Sequence, residues 1–261
     1  MAAVFRQHTS RSADPQLHTH AIVAAKVQDP TGMWLSLDAR FLKGQQRSIG
    51  WVYAAALRSE LSARLGVSWG PVSEGHAEID GVPRPLVELF SQRSEQVEAK
   101  LAKLIAAWVD EHDGAEPAAR ALYRLERAAA RTSRPGKDHA VEADALRAEW
   151  TGRAREAGFK ALSLPVGQDR LAEMTAVEAD VVIGEALEAV AATSATWLRA
   201  DLAREIAARL PATAASSAGA AVEWVDRLVE LAASRCVELH PPAAAGVPCR
   251  RDGRPISEHV T

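Results

Sequence analysis

Apolar and polar positions alternate along the first forty residues, and beyond them apolar positions recur every three to four residues, so strands come first and helices follow. Ala2–Thr9 predicts a first strand and residues 17–27 a second. The turn signal Asp29-Pro30-Thr31-Gly32 returns the chain into a third strand at 33–37, completing a hairpin. From about Arg40 the period lengthens: Trp51, Ala55, Leu57, Leu61 and Leu65 keep helical spacing, and Gly66 fits just past the C-terminus of that helix. Residues 67–72 and 76–79 read as a short hairpin closed by Gly81-Val82-Pro83. Beyond Pro85 the pattern is helical at 86–90, 95–110, 117–130 and 141–157, breaks at Leu164-Pro165-Val166-Gly167, and resumes at 176–192, 199–210 and 222–233. Residues 211–221, rich in Ala, Ser and Gly, predict a linker, and the Pro-rich tail from Pro241 reads as disordered or as the cut end of a longer protein. The expected class is α+β, mostly helical, with a small antiparallel sheet at the N-terminus.

Composition changes this picture little. At 261 residues, 48% apolar and 25% charged, the chain has the ordinary globular balance and enough length for one large domain or two small ones. No apolar run approaches a membrane span. Arg6, His8 and Arg11 near the start leave no room for a secretory signal, so a cytoplasmic protein with no membrane partner is expected. Cys236 and Cys249 have no CxxC spacing and fit reduced thiols.

Charge is more informative. The net charge is −3, but Arg120, Arg124, Arg127, Arg131, Arg134 and Lys137 face a single acid, Glu126, between residues 120 and 137. The first four are spaced by four, three and four, which aligns them on one helical face. Such a face is either a solvated surface or a row of phosphate contacts.

The candidate chemistry lies in the first two strands. His18 and His20 are two apart, so both rings project from the same face of a strand, a spacing that suits two imidazoles on one divalent cation. His-x-His alone is a weak signal, since surface or hydrogen-bonded histidines satisfy it equally well. Imidazole nitrogen suits a borderline cation such as zinc, manganese or nickel better than calcium. Tyr53 and Tyr123 sit among apolar neighbours in predicted helices, so core packing is the expectation for both.

The string Phe5-Arg-Gln-His-Thr-Ser-Arg-Ser-Ala-Asp-Pro-Gln-Leu-His-Thr-His20 resembles the histidine motif of MobF-class conjugative relaxases, the TrwC/TraI type. Phe5, Thr9, Ser10, Arg11, Asp14, Pro15, Gln16, Leu17, His18, Thr19 and His20 match it without a gap. Tyr53-Ala-Ala-Ala-Leu-Arg-Ser-Glu-Leu, Trp69-Gly, Gly81-Val-Pro-Arg, Phe90-Ser-Gln-Arg, Thr132-Ser-Arg-Pro-Gly-Lys-Asp-His and Ala145-Leu-Arg-Ala-Glu-Trp follow in the family's order, so the resemblance covers roughly residues 1–160. It implies a partial antiparallel relaxase sheet, a divalent metal (zinc, manganese, nickel or magnesium) held by three histidines, and single-stranded DNA as partner. The implied reaction is nicking at a transfer origin, with a tyrosine attacking the metal-polarised phosphate. It also implies that Arg11 and the basic stripe from Arg120 to Lys137 contact DNA.

The sequence departs from the family twice. Where the third histidine belongs stands Gln7, with His8 one residue later. Either a β-bulge brings His8 round or Gln7 supplies a weak amide oxygen. The family's nucleophilic tyrosines lie upstream of the histidine motif, whereas Tyr53 and Tyr123 lie downstream of it, so no catalytic residue is expected in this chain and a separately encoded N-terminal relaxase piece is a candidate partner. The expected organisation is residues 1–160 as the C-terminal part of a relaxase domain, with 165–261 as a small helical, winged-helix-like connector. That connector has Trp197, Leu198, Leu202, Ile206, Trp224, Val225 and Leu228 as its core and a strand-like segment at 235–240. No GxxxxGK[ST] loop is present, so helicase chemistry is not expected. The leading expectation is a relaxase fragment inactive by itself. The alternatives are a non-catalytic single-stranded-DNA-binding protein and a non-functional gene remnant.

Overall fold

The structure is a computed structural model that describes residues 2–133, 142–160, 164 and 174–239. It shows the α+β, mostly helical class, with short strands first and helices after them. The chain divides into two compact units, Met1–Ala39 with Asp80–Pro165 and Arg40–Ile79 with Val166–Thr261. The units are therefore not the contiguous segments 1–160 and 165–261 expected from the sequence.

The first unit begins with β1 (Ala2–Thr9) and β2 (Pro15–Val23), an antiparallel ribbon running from Ala2↔Val23 to Gln7↔His18 and closing at Thr9↔Pro15. The expected second strand is split: residues 24 and 25 interrupt it, and β3 (Lys26–Gln28) pairs instead with β4 (Trp34–Ser36) in a separate hairpin. Asp29 builds that hairpin's turn, its carboxylate accepting from the Thr31 and Met33 N–H groups and the Thr31 hydroxyl. Those bonds, the Thr31 hydroxyl first, hold the Asp29 carboxyl below the usual range.

Among the described residues of this unit four helices follow, α2 (Arg84–Leu89), α3 (Gln92–Glu111), α4 (Ala119–Thr132) and α5 (Ala143–Glu156). α3 packs on α4, whose Ala129 is fully buried. Arg93 of α3 caps the C-terminus of α4, donating to the Ala130 carbonyl at 2.7 Å and to the Ser133 carbonyl at 2.8 Å. A cationic side chain there satisfies carbonyls the helix leaves open and suits the negative end of its dipole.

The second unit packs a long helix, α1 (Ala39–Leu65), with α6 (Ala176–Thr193), α7 (Arg199–Arg209) and α8 (Ala218–Ser234). Ala55 and Ala56 of α1 share one core with Val182, Ile183, Leu202, Ile206, Val225 and Leu228. Trp197 and Trp224 are half-buried against it, while Leu198 is exposed rather than in the core. Arg58 is buried and donates to the carbonyls of Gly75 (3.0 Å) and Ala207 (2.9 Å), and burial lowers its pKa. Gly75 has φ +80°, and a Cβ there would lie 2.4 Å from the Trp51 ring, so both backbone angle and space demand glycine.

Three expectations for this unit change. The predicted linker at 211–221 is a packed corner, with a 3-10 turn at Ala212–Ala214 and buried Ala214, Ala215 and Ala221. Alanine and serine there serve close approach, not flexibility. The hairpin expected after Gly66 is reduced to isolated bridges, Trp69↔Ile79 and Ser73↔His76. No strand forms over residues 235–239, so among the described residues no wing accompanies the helices. His240, Cys249 and the tail lie outside them.

Candidate metal centre and nucleic-acid interface

The β1–β2 register decides which side chains share a face. Gln7 pairs with His18 and Phe5 with His20, so these four side chains project together. The His18 and His20 rings meet edge to face with centroids 4.9 Å apart. His20 Nε2 donates to Gln7 Oε1 at 3.2 Å, and His18 Nδ1 donates to the Gln16 carbonyl at 2.9 Å. The second bond fixes a His18 tautomer whose Nε2 lone pair is available, the usual arrangement of a metal-ligating histidine.

Gln7, not His8, shares the face of His18 and His20. The register slips between Gln7 and Thr9, where two residue steps on β1 face three on β2, from His18 to Pro15. The extra residue is thus in β2, and the Gln7–His18 pair stays in register. Alternation along the extended strand turns His8 to the opposite face, where it is exposed. Among the described residues no three His, Cys, Asp or Glu side chains come together. The donor set on offer is two imidazoles and one neutral amide oxygen. It fits a borderline divalent cation, with a weaker third ligand than imidazole.

The loop joining the strands is built around Asp14. Ser10 Oγ accepts from the Ser12 N–H (3.1 Å) and the Asp14 N–H (3.2 Å), and Ala13 takes φ 61°. Asp14 is 2% exposed, and its Oδ1 accepts from Arg153 at 3.2 Å. Arg153 also donates to the Leu89 carbonyl at 2.9 Å and lies over the Phe90 ring at 4.8 Å. Trp150 donates its indole N–H to the Ala13 carbonyl at 2.7 Å. Arg11 is exposed in this loop.

On α4, Arg120, Arg124, Arg127 and Arg131 are all exposed, and among the described residues none is paired with an acid. Arg134 and Lys137 lie outside the described residues. Tyr53 and Tyr123 are 58% and 56% exposed, contrary to the core packing expected of them. Their apolar sequence neighbours sit on other faces: Ala55 and Ala56 are buried in α1, and Leu122, Leu125 and Ala129 form the inner side of α4. Successive helical residues are rotated by about 100°, so adjacency in sequence does not place a residue inside.

The sequence profile of the TrwC relaxase family matches residues 1–157. The chain belongs to the TrwC relaxase family. It is 29% identical over 182 residues to the multifunctional conjugation protein TraI of Escherichia coli, covering 66% of this chain and 9% of that protein. Conjugative relaxase TrwC in complex with mutant oriT DNA is 34% identical, with a TM-score of 0.49 over 61% of this chain and 52% of that one. A metal-bound structure of TrwC with oriT DNA is 33% identical, with a TM-score of 0.47 over 61% and 51% of the two chains. The chain thus spans about half of the TrwC chains it resembles and a small part of TraI.

In this TrwC-family chain, several of the ordered motifs are held together by long-range contacts. Asp14 and Phe90, from separate motifs, meet at Arg153, Trp150 of a third reaches the Ala13 carbonyl beside Asp14, and Arg93 of the Phe90 motif reaches the start of the Thr132 motif. Sequence reasoning missed Arg153 because long-range pairing leaves no local periodicity. The family span also crosses the two units: α1 lies within it, yet its core partners α6–α8 lie beyond residue 157.

Proposed function

We propose that this chain is the metal- and DNA-binding part of a conjugative relaxase, which receives its nucleophilic tyrosine from a segment outside these 261 residues. The observation that carries the proposal is the common face of Gln7, His18 and His20 within a TrwC-family chain. His18 Nε2, His20 Nε2 and Gln7 Oε1 would hold the cation, and His20 would exchange its bond to Gln7 for the metal. Bound there, a divalent ion acts as Lewis acid on a phosphate oxygen. The arginines of α4 and Arg11 supply phosphate contacts that position single-stranded DNA without reading its sequence. Zinc, manganese, nickel and magnesium are the cations to compare. A cytoplasmic location fits this substrate, and no described helix is long and apolar enough to cross a membrane.

Tyr53 and Tyr123 lie on helices and not on the histidine ribbon, which supports a nucleophile from elsewhere. The test is incubation of the purified chain with divalent metal and single-stranded transfer-origin DNA, read as a covalent protein–DNA adduct on a denaturing gel. The expected result is DNA binding without adduct. An adduct abolished by Tyr53→Phe or Tyr123→Phe would overturn the proposal. A second reading, a single-stranded-DNA-binding protein without chemistry, is favoured by the missing third imidazole at Gln7.

A further inference from the structure

We propose that Tyr123 is a base-stacking residue, set at the edge of the arginine face of α4 so that one helix grips both the backbone and a base of single-stranded nucleic acid. The inference rests on reading that face as a DNA interface and adds a contact of different chemistry to it. Tyr123 lies between Arg120 and Arg124 in the chain and, at about 100° per residue, borders the arginine face on the side of Arg127. From Arg120 to Arg131 the rise is eleven residues at about 1.5 Å each, roughly 16 Å of cationic surface with an aromatic ring along its edge.

Single exposed tyrosines are ordinary on protein surfaces, so exposure alone decides nothing. What distinguishes Tyr123 is its setting. The Arg127 guanidinium sits 5.8 Å from the ring centroid and donates to the phenol oxygen at 3.2 Å. This holds the ring with a cation toward one face, and Tyr123 is 56% exposed. A cation beside an aromatic face, flanked by further cations, is the arrangement in which bases stack while phosphates are neutralised. The face is presented on a fixed helix. Buried Ala129 anchors its inner side, and Arg93 closes its C-terminus.

The test measures binding of a dT20 oligonucleotide and of the same strand carrying one 2-aminopurine, across a salt series, by fluorescence anisotropy and 2-aminopurine quenching. Tyr123→Ala is expected to weaken binding by about 5- to 100-fold, with the slope against log salt unchanged and the quenching lost. Tyr123→Phe keeps the ring and is expected to bind within about twofold of wild type. Arg124→Ala with Arg131→Ala is expected to flatten the salt slope by about 1.4, two single-strand phosphate contacts at roughly 0.7 each. Unchanged thermal melting shows that the variants fold. If Tyr123→Ala binds like wild type while the double arginine variant weakens, α4 holds backbone only and the stacking inference is wrong. Equal losses for Tyr123→Phe and Tyr123→Ala would also overturn it, by assigning the effect to the hydroxyl. If the wild-type chain does not bind at low salt, the DNA interface fails, and this inference with it.

Discussion

His20 Nε2 is bonded to Gln7 Oε1, and the same nitrogen is the one a cation would take. Metal binding must therefore shift the His20 proton to Nδ1 and break that bond, a cost His18 does not share because its Nδ1–H is already held by Gln16. Gln7→His, restoring a third imidazole, is expected to tighten zinc binding about tenfold or more by competition titration with a chromogenic chelator. Gln7→Ala is expected to weaken it by a comparable factor. Weaker zinc binding by Gln7→His would mean that position 7 is not a ligand position. Here the sequence was readable only so far. The period of two put His18 and His20 on one face without any structure. The choice between Gln7 and His8 depended on where the ribbon absorbs its extra residue, and nothing in β1 records that the slip falls in β2. The tyrosines differ for another reason: apolar neighbours in sequence are not neighbours in space, because the helix turns each to its own face.

Among the elements, the loop between β1 and β2 depends on α5 for its shape. Asp14→Ala leaves the largely buried Arg153 without its carboxylate and is expected to cost about 3–5 kcal/mol, read as a lower urea midpoint at constant slope. A change below about 0.5 kcal/mol would show that the pair is not buried in solution. In the second unit, Glu60 of α1 accepts the Ala218 N–H at the start of α8 at 2.8 Å. That bond first, and Arg64 after it, hold the Glu60 carboxyl below the usual glutamate range. A lowered folded-state pKa stabilises fully above the unfolded value and less as pH falls through the folded one. Stability should therefore fall on acidification below the ordinary glutamate range, and Glu60→Gln should show a shallower fall in urea midpoint between pH 5 and about pH 3. Parallel curves for the two proteins would remove Glu60 from the acid limb. Helices with strong periodicity, such as α6 (Ala176–Thr193), were legible nearly to the residue, and in the structure a Thr175–Glu178 capping box fixes the start of α6. The corner before α8 was not, because alanine-rich sequence serves tight packing and loose linkers alike.

For the whole molecule, the β1–β2 ribbon is the element with the most open edges. Among the described residues it is a two-stranded sheet, with Val4, Phe5, Leu17 and Ile22 exposed. An open two-stranded ribbon is marginal by itself and invites another strand. By itself the chain is expected to associate with rising concentration on gel filtration, and Val4→Lys with Ile22→Lys is expected to suppress this without changing far-UV circular dichroism. A wild-type chain that stays monomeric at high micromolar concentration would contradict this. Fold class and family were legible from the order of strands, helices and motifs. The division into units was not, since the core that α1 enters is supplied by α6–α8, well over a hundred residues later. The central claim, a metal centre on the Gln7–His18–His20 face, is tested most directly by metal content. After loading with zinc, manganese or nickel and desalting, inductively coupled plasma mass spectrometry should find about one ion per wild-type and His8→Ala chain and almost none in His18→Ala or His20→Ala. Metal retained without His18 and His20, or lost with His8, would contradict it.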